Sequence, residues 1–451
     1  MTEFVEDTYL KREYGLRKFL YHARHNQLML YPPALRERNL LSARFLFLTS
    51  FLVLKPDYIE QVLLTNQQNY PKSRFVRNLL VPLVGEGLLT SEGAFWRRQR
   101  QIAAPAFQHR KIAEFGPIMA GAAAALAERW RQRSGPFDLC PDMMGLTLEI
   151  IARAMFSADF RDKAEIVRRL MDVAAYEIKV SPIDLFGLPE WLPRFWPKSV
   201  RDAVRQFNEM VAAIIAARRA DGVDRGDLLS MLMNARDPDS GQAMSDKQLR
   251  DEMITILTAG HETTANGLSF CWWLLARHPE CQARLQREVD RVLQGRPPSF
   301  ADLPSLPYCR MVFEETLRLY PPAHTISRRA LRDDKIGGVR VPAGANITIS
   351  PFATHRNPHL WPDPDRFDPE RFHPDQAAKR HRFAFLPFGG GPRICIGMHF
   401  AIAEAQIIIA TLAQSFSVKT LPGHVVEPVA TLTLRAKNGI QVVVEPRGDT
   451  R

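Results

Sequence analysis

The chain has 451 residues, 46% apolar and 24% charged, which argues against disorder, collagen and coiled coil as its main architecture. Its net charge of +11 is spread out, without a long basic tract, and is therefore a weak sign of nucleic-acid binding; we expect none. The five cysteines form no CxxC pair, so we expect neither disulfides nor a compact zinc site, and a cytoplasmic location. We also expect no membrane anchor, because no apolar run reaches the roughly 18–20 residues of a span.

In chain order, the first strand candidate is the apolar segment 44–54. Only Pro238 and Pro279 occur between positions 201 and 280, whereas the last quarter of the chain is rich in proline. Because proline disrupts helix interiors, we predict long helices in the middle and turns with short strands near the end.

The clearest single helix is predicted for 245–277. Ser245 and Gln248 match a capping box at its start, and Pro279 follows its end. These patterns predict a mainly α protein with a smaller β-sheet portion (α+β). The other predicted helices are 305–320 and 396–416. The other strand candidates are a set interrupted by proline and glycine around 336–349, and the segment 440–445.

The glycine-rich segment FLPFGGGPRICIGMHFAIAEAQ contains Cys395 immediately before a predicted helix. A helix N-terminus and the nearby Arg393 both favour a thiolate, which serves as a nucleophile or a metal ligand. For an isolated cysteine beside a tight turn, a buried and inert thiol is the more common outcome.

The sequence Ala-Gly-His-Glu-Thr-Thr, 259–264, lies in the middle of the helix 245–277. Glycine is unfavourable there, and the hydroxyl of Thr263 can donate back to the carbonyl of Ala259, which predicts a local distortion. A solvent-facing polar patch is the alternative. The HExxH zinc motif is excluded, because its second histidine would be Ala265.

Two further spacings place side chains on shared helix faces. Glu315 and Arg318 are three residues apart, and Trp96 and Arg100 are four apart. Such pairs are common on exposed surfaces, where they contribute little, so neither spacing identifies a function by itself.

Taken together, the four motifs resemble those of the cytochromes P450 in order and spacing, over about 40–445. The resemblance implies the P450 fold, a triangular helix-rich prism around a buried haem, with residues 1–451 in a single catalytic domain. The β-rich lobe would come from about 30–65 and 325–445, and the helical lobe from 90–320 and 396–416.

The resemblance also implies how haem b (iron protoporphyrin IX) is bound. Cys395 would be the axial ligand of the iron, Phe388 would shield its sulfur, and Gly397 would let the next helix lie under the porphyrin. The haem propionates would be held by Trp96, Arg100 and Arg393.

In the same family, the motif on the long helix binds and activates O2. Ala259 and Gly260 would leave room for O2, Thr263 would hydrogen-bond it, and Glu262 would deliver protons through a relay. This acid–alcohol pair favours monooxygenation with O2 and two electrons. The alternatives are a peroxygenase or isomerase, and a non-catalytic haem-based ligand-binding protein.

A third motif implies a buried structural triad. Arg371, in the segment Phe-Asp-Pro-Glu-Arg-Phe, would complete the pair of Glu315 and Arg318 and fix the loop that carries Cys395. The segment His-Arg-Asn-Pro at 355–358 is also similar to the family, and we predict no role for it beyond local structure.

No reductase domain is visible after the last strand, so a separate ferredoxin or flavodoxin and an NAD(P)H-dependent reductase are expected to supply electrons. Their docking face would include Arg97, Arg98 and Arg110. A plain solvated face is the alternative. We expect the protein to be a monomer.

The resemblance implies a lipophilic substrate, and terpenoids, steroids, fatty acids and aromatic compounds all remain open. The aromatic, apolar segment 180–197 would be an access lid or, alternatively, a patch that touches a membrane. The pocket would lie against the helix 245–277 and a loop at 72–90. Its other residues would be Ala323, His324, Thr325, Ile326 and Leu432.

Overall fold

We describe the fold from a computed structural model of the chain. The structure describes residues 16–45, 48–157, 163, 165–167, 169, 170, 173, 196–237 and 240–448. Over these ranges, no helix combines the length and hydrophobicity of a membrane span.

The described residues are mainly helical, which confirms the predicted class. The helices are α1 (Leu16–His25), α2 (Pro33–Arg36), α3 (Pro56–Glu60), α4 (Arg74–Val84), α5 (Gly93–Ala103), α6 (His109–Glu114), α7 (Gly116–Arg131), α8 (Leu139–Phe156), α9 (Lys198–Asp221), α10 (Leu228–Asn234), α11 (Asp246–Arg277), α12 (Pro279–Leu293), α13 (Pro307–Leu319), α14 (Pro351–Thr354), α15 (Pro374–Ala377) and α16 (Met398–Ser415).

The strands form small sheets. Strands β2 and β7 pair in parallel at the centre of a four-stranded sheet ordered β1-β2-β7-β4, whose other pairs are antiparallel. A three-stranded sheet has the order β3-β11-β8, and β5-β6 and β9-β10 are hairpins. The strands are β1 (Leu40–Phe45), β2 (Leu48–Val53), β3 (Phe137–Asp138), β4 (Ile326–Arg329), β5 (Asp334–Ile336), β6 (Val339–Val341), β7 (Asn346–Ile349), β8 (Phe416–Thr420), β9 (Pro428–Ala430), β10 (Leu434–Ala436) and β11 (Gln441–Pro446).

Two sequence predictions were wrong in detail. The segment 44–54 contains parts of two antiparallel strands rather than one strand, because the chain reverses direction between β1 and β2. The predicted loop 72–90 contains helix α4, which Ser73 caps by accepting a hydrogen bond from the amide of Val76.

The long helix α11 organises the helical part. The capping box of Ser245 and Gln248 is present as predicted, and the helix continues without a break to Arg277. The residues 259–264, where we predict a local distortion, therefore do not interrupt the helix. α11 packs along α8 and also contacts α16, β8 and β10.

The apolar core has two parts. The larger cluster joins α7, α8, α11, α13 and α16, and α16 is buried on most of its sides, as its apolar sequence predicts. The smaller cluster lies against the four-stranded sheet and includes Phe51, Ile347 and Leu386. Leu386 belongs to the segment that leads into the Cys395 loop.

Candidate active site

The loop before α16 follows a path that requires glycine. Gly389 and Gly391 have positive φ angles of 74° and 66°. A side chain on Gly391 would also overlap the carbonyl oxygen of Leu63. The amide of Cys395 donates to the carbonyl of Phe388 at 3.0 Å. This bond closes the loop and holds Cys395 just before α16.

Replacing Gly391 by alanine is expected to destabilise the protein by at least about 2 kcal/mol, because the left-handed backbone cost adds to the overlap with Leu63. Denaturant unfolding and haem content measure the effect. Gly121→Ala is the control, since an added side chain there meets nothing within 4 Å. Alanine at that helical position is expected to stabilise α7 by up to ~1 kcal/mol. Equal losses in both variants would contradict this explanation.

The Cys395 side chain is exposed, although protein atoms surround it closely enough for burial to raise the pKa of its thiol. A sulfur that borders an internal space is accessible and is also surrounded by protein atoms, which accounts for both observations. The amide of Gly397 and the positive charge of Arg100 act in the opposite direction and lower this pKa. In the protein without a bound metal, burial outweighs both effects. A metal that binds this sulfur has to displace the proton.

Helix α11 also borders open space in its middle. Ala259 is exposed and Gly260 and Thr263 are partly exposed, although most of their neighbours on α11 are buried. The hydroxyl of Thr263 donates to the carbonyl of Ala259 at 2.6 Å, which confirms the predicted bond. A side chain on Gly260 would lie 3.3 Å from Cδ1 of Ile151, so this glycine lets α8 approach closely. Small residues thus leave a gap beside a buried helix.

The carboxylate of Glu262 is held by a residue that the sequence analysis missed. The hydroxyl of Thr433, between β9 and β10, donates to Oε1 of Glu262 at 2.5 Å. Glu262 is only 8% exposed. The two residues are 171 positions apart, and the nearest sequence signal was the pocket assignment of Leu432. The arrangement supplies a carboxylate beside the open stripe of α11.

His261, next to this acid, is a structural residue. It is buried, and its Nε2 lies 3.1 Å from the carbonyl oxygen of Met144. Burial lowers the pKa of the His261 ring to about 4. The ring is therefore neutral at ordinary pH and links α11 to α8.

Near the Cys395 loop, the described residues form a cationic cluster. Arg328 is buried and Lys72 is partly buried. Desolvation together with the charge of Arg393 lowers the pKa of each. Arg393 pairs with Glu92 at 2.6 Å, and its guanidinium lies 3.9 Å from the ring centroid of Trp96. Three basic side chains therefore lie around one carboxylate. Arg393 and Trp96 can be recognised from their motifs, whereas Lys72 and Arg328 cannot.

These residues fit a haem group. The guanidinium groups of the cluster suit the carboxylates of haem propionates. Arg100 connects the cluster to the sulfur, because its charge acts on both Arg393 and Cys395. The thiol of Cys395 is a suitable iron ligand. When haem binds, we expect Arg393 to divide its hydrogen bonds between Glu92 and a propionate.

The three residues of the predicted triad lie together, with Glu315 and Arg318 buried and Arg371 partly buried. Glu315 and Arg318 are both 0% exposed and are joined by two bonds, at 2.6 and 2.8 Å. Nε of Arg371 lies 3.5 Å from Glu315. Arg318 also donates to three backbone carbonyls, at 2.6–2.9 Å, so its five donors are all used. The acceptor carbonyls belong to His355, Pro364 and Arg366.

The predicted pocket residues differ in accessibility. Ala323 is exposed and Leu432 is 37% exposed, whereas Thr325 and Ile326 are partly buried. The ring of His324 is buried, 3.2 Å from the carbonyl of Thr431 and 2.9 Å from the Thr325 hydroxyl. We therefore assign His324 to holding the turn beside Leu432 rather than to contacting substrate.

The predicted docking residues also differ. Arg97 and Arg110 are exposed. Arg98 forms an ion pair with Asp237 at 3.2 Å, and the side chain of Asp237 is only 7% exposed. The positive charge of Arg98 is therefore already compensated within the protein. The predicted lid 180–197 lies outside the described residues, except for 196 and 197.

The chain is similar in sequence to known proteins. The family model described as Cytochrome P450 matches residues 23–444. The chain is 37% identical over 399 residues to cyclooctatin synthase from Streptomyces melanosporofaciens, covering 88% of this chain and 86% of that protein. It is 34% identical over 392 residues to pentalenene oxygenase from Streptomyces avermitilis, covering 86% and 85% of the two chains.

A solved structure also resembles the chain along most of its length. The crystal structure of the cytochrome P450DA heme domain superimposes with a TM-score of 0.82 at 27% sequence identity. The match covers 97% of this chain and 94% of the other. The fold that the motifs predict is therefore confirmed.

Proposed function

Because the chain belongs to the cytochrome P450 family and is a P450 monooxygenase, we propose that it hydroxylates or epoxidises a terpenoid, with haem b as its cofactor. In the hydroxylation, one O2, two electrons and two protons are consumed. One oxygen atom enters a C–H bond of the substrate, and the other leaves as water. We also place the whole chain in one catalytic domain, since α11 contacts both the helical core and the strands β8 and β10.

The observation that carries this proposal is the open stripe of Ala259, Gly260 and Thr263 beside the carboxylate of Glu262. An opening in an otherwise buried helix leaves space for O2 and for part of a substrate. The neighbouring acid and alcohol can pass protons into that space. Bound haem, held through the sulfur of Cys395, supplies the redox chemistry that cleaves O2.

Each polar residue has a separate task. Glu262 holds a proton at its carboxylate, and Thr433 keeps this carboxylate beside the stripe through the 2.5 Å bond. The Thr263 hydroxyl donates to Ala259, so its oxygen remains able to accept a proton-carrying hydrogen bond. Ala323 and Leu432 contribute exposed apolar surface for the substrate.

The terpenoid class rests on the relatives. Two proteins at 34–37% identity are named for making cyclooctatin and for oxygenating pentalenene, and both oxidise terpenoids. Small and aliphatic residues at the open positions suit such hydrocarbon rings, which are recognised mainly by burial of apolar surface.

The test starts with haem-loaded protein. After reduction and addition of CO, a red-shifted Soret band reports the thiolate ligand. Polycyclic terpenes, steroids, fatty acids and aromatic compounds are then compared for the low- to high-spin shift that reports binding. Finally, isotope from labelled O2 is traced into the product with a surrogate ferredoxin and its reductase. Product formed with peroxide but not with O2 and electrons would support a peroxygenase instead. Binding without turnover under either condition would support a ligand-binding protein.

We place the docking face for the electron donor around Arg97 and Arg110. Reversing both charges to glutamate is expected to slow reduction by an acidic ferredoxin about tenfold or more at low ionic strength, where steering is strongest. The difference should shrink as salt is added. Lys335→Glu, on the β5-β6 hairpin and also exposed, is the control. A rate that is independent of salt and of these charges would contradict the assignment.

A further inference from the structure

His355 follows helix α14 and is completely buried. The backbone amide of Leu386 donates to its Nε2 at 2.7 Å. An amide nitrogen can only donate, so Nε2 must be unprotonated. The proton is then on Nδ1, which donates to the carbonyl of Arg318 at 3.1 Å. The surroundings thus determine the tautomer of this ring.

The surroundings also keep the ring neutral. Burial, and then the positive charge of Arg318, hold the pKa of His355 well below its usual value. The charge of Arg356 acts in the same direction. The rings of Trp361 and Phe385 lie around it, with centroids 6.4 and 5.2 Å away. A neutral ring can keep accepting the amide bond throughout the ordinary pH range.

This amide lies at the start of the loop that carries Cys395. The carbonyl of Leu386 accepts a bond from the amide of Gly389 at 3.1 Å, and the carbonyl of Phe388 accepts one from Cys395 at 3.0 Å. On the other side, Nη1 of Arg318 donates to the carbonyl of His355 at 2.8 Å. A continuous set of hydrogen bonds therefore runs from the buried ion pair to the loop.

We propose that His355 is a positioning residue for the iron ligand, because its Nε2 holds the start of the Cys395 loop against the buried pair of Glu315 and Arg318. The proposal rests on the haem-thiolate function above. An imidazole ring suits this task, since it offers one donor and one acceptor on a rigid frame. Without the Nε2 acceptor, the Leu386 amide would be buried without a partner, and the loop would shift to satisfy it.

Two substitutions separate the two bonds of the ring. In His355→Gln, the side-chain oxygen can reach the position of Nε2 and accept from Leu386. In His355→Asn, the shorter amide can replace only the Nδ1 donor to Arg318. The glutamine variant is expected to keep the red-shifted CO band. The asparagine variant should lose most of this band per bound haem, and its reduction potential should rise because the anionic donor is lost.

The opposite ranking, or a normal band in both variants, would overturn the proposal. Haem content and unfolding midpoints are measured in parallel. Equal losses of haem and stability in both variants would indicate general destabilisation and would also count against the proposal. If the variants do not fold, nitrogen-15 NMR of labelled histidine in the unaltered protein decides. Protonated Nε2 would overturn the proposal, and unprotonated Nε2 would support it. The thiolate band of the unaltered protein tests the proposed function separately.

Discussion

Replacing Arg318 by alanine is expected to give protein that does not retain haem. Its guanidinium makes two bonds to Glu315 and three to backbone carbonyls, and both side chains are 0% exposed. Removing one partner leaves a buried charge without compensation, at a cost of about 3–5 kcal/mol. The carbonyls of Pro364 and Arg366 would also lose their donor. Glu315→Ala should have the same result, since it leaves Arg318 as the uncompensated charge.

The control is a second ion pair on the same helix. Arg310 pairs with Glu314 at 3.0 Å, but the side chain of Arg310 is 55% exposed. Arg310→Ala should change stability by no more than about 0.5 kcal/mol and leave haem content normal. Haem is measured by absorbance per mole of protein after gel filtration. Normal haem content in both Glu315→Ala and Arg318→Ala would disprove the structural role of the pair.

Replacing Glu262 by glutamine is expected to lower O2-dependent product formation about 100-fold, which is the usual contribution of a positioned proton-transfer group. Glutamine preserves the size of the side chain and can still accept the bond from Thr433, but it cannot deliver a proton. Haem content and the spin shift on substrate binding should therefore be unchanged. The electrons that are no longer used for hydroxylation should appear as hydrogen peroxide.

The control for this change is Glu252→Gln, at a second buried acid on α11. Glu252 accepts a bond from the amide of Leu88 at 2.9 Å, which glutamine can also accept. Product formation and peroxide release are measured per NAD(P)H consumed. Thr433→Val should reduce coupling in the native background but add nothing to Glu262→Gln, because it acts through that carboxylate. Unchanged coupling in Glu262→Gln would remove this acid from the relay.

The sequence alone was informative wherever the controlling contacts are local. The capping box of Ser245 and Gln248 needs only residues three apart, and the structure contains it as predicted. The bond from Thr263 to Ala259 spans one helical turn. Phe388, Gly391 and Cys395 belong to one short loop, where spacing and positive φ angles restrict which residues fit. The class of protein could be recognised from such motifs.

Other features depend on residues that are far apart in the chain. Lys72 pairs with Arg328 across 256 positions in an isolated β-bridge, and neither residue has a recognisable motif. Thr433 reaches Glu262 over 171 positions. His355 accepts a hydrogen bond from the amide of Leu386. The sequence of the segment 355–358 gives no indication of this contact. These contacts cannot be predicted from the sequence, because side-chain spacing along one helix or loop contains no information about them.

The charge of Cys395 shows the same limit. Its sequence context predicts a thiolate, since a helix N-terminus and arginines favour negative charge. In the folded chain, burial raises the pKa of the thiol more than these neighbours lower it. Composition and motifs by themselves identified Cys395 as the cysteine of a haem-binding loop, and they identified the class of chemistry. Only the tertiary structure decided the environment of its sulfur, because burial is produced by segments from the whole chain.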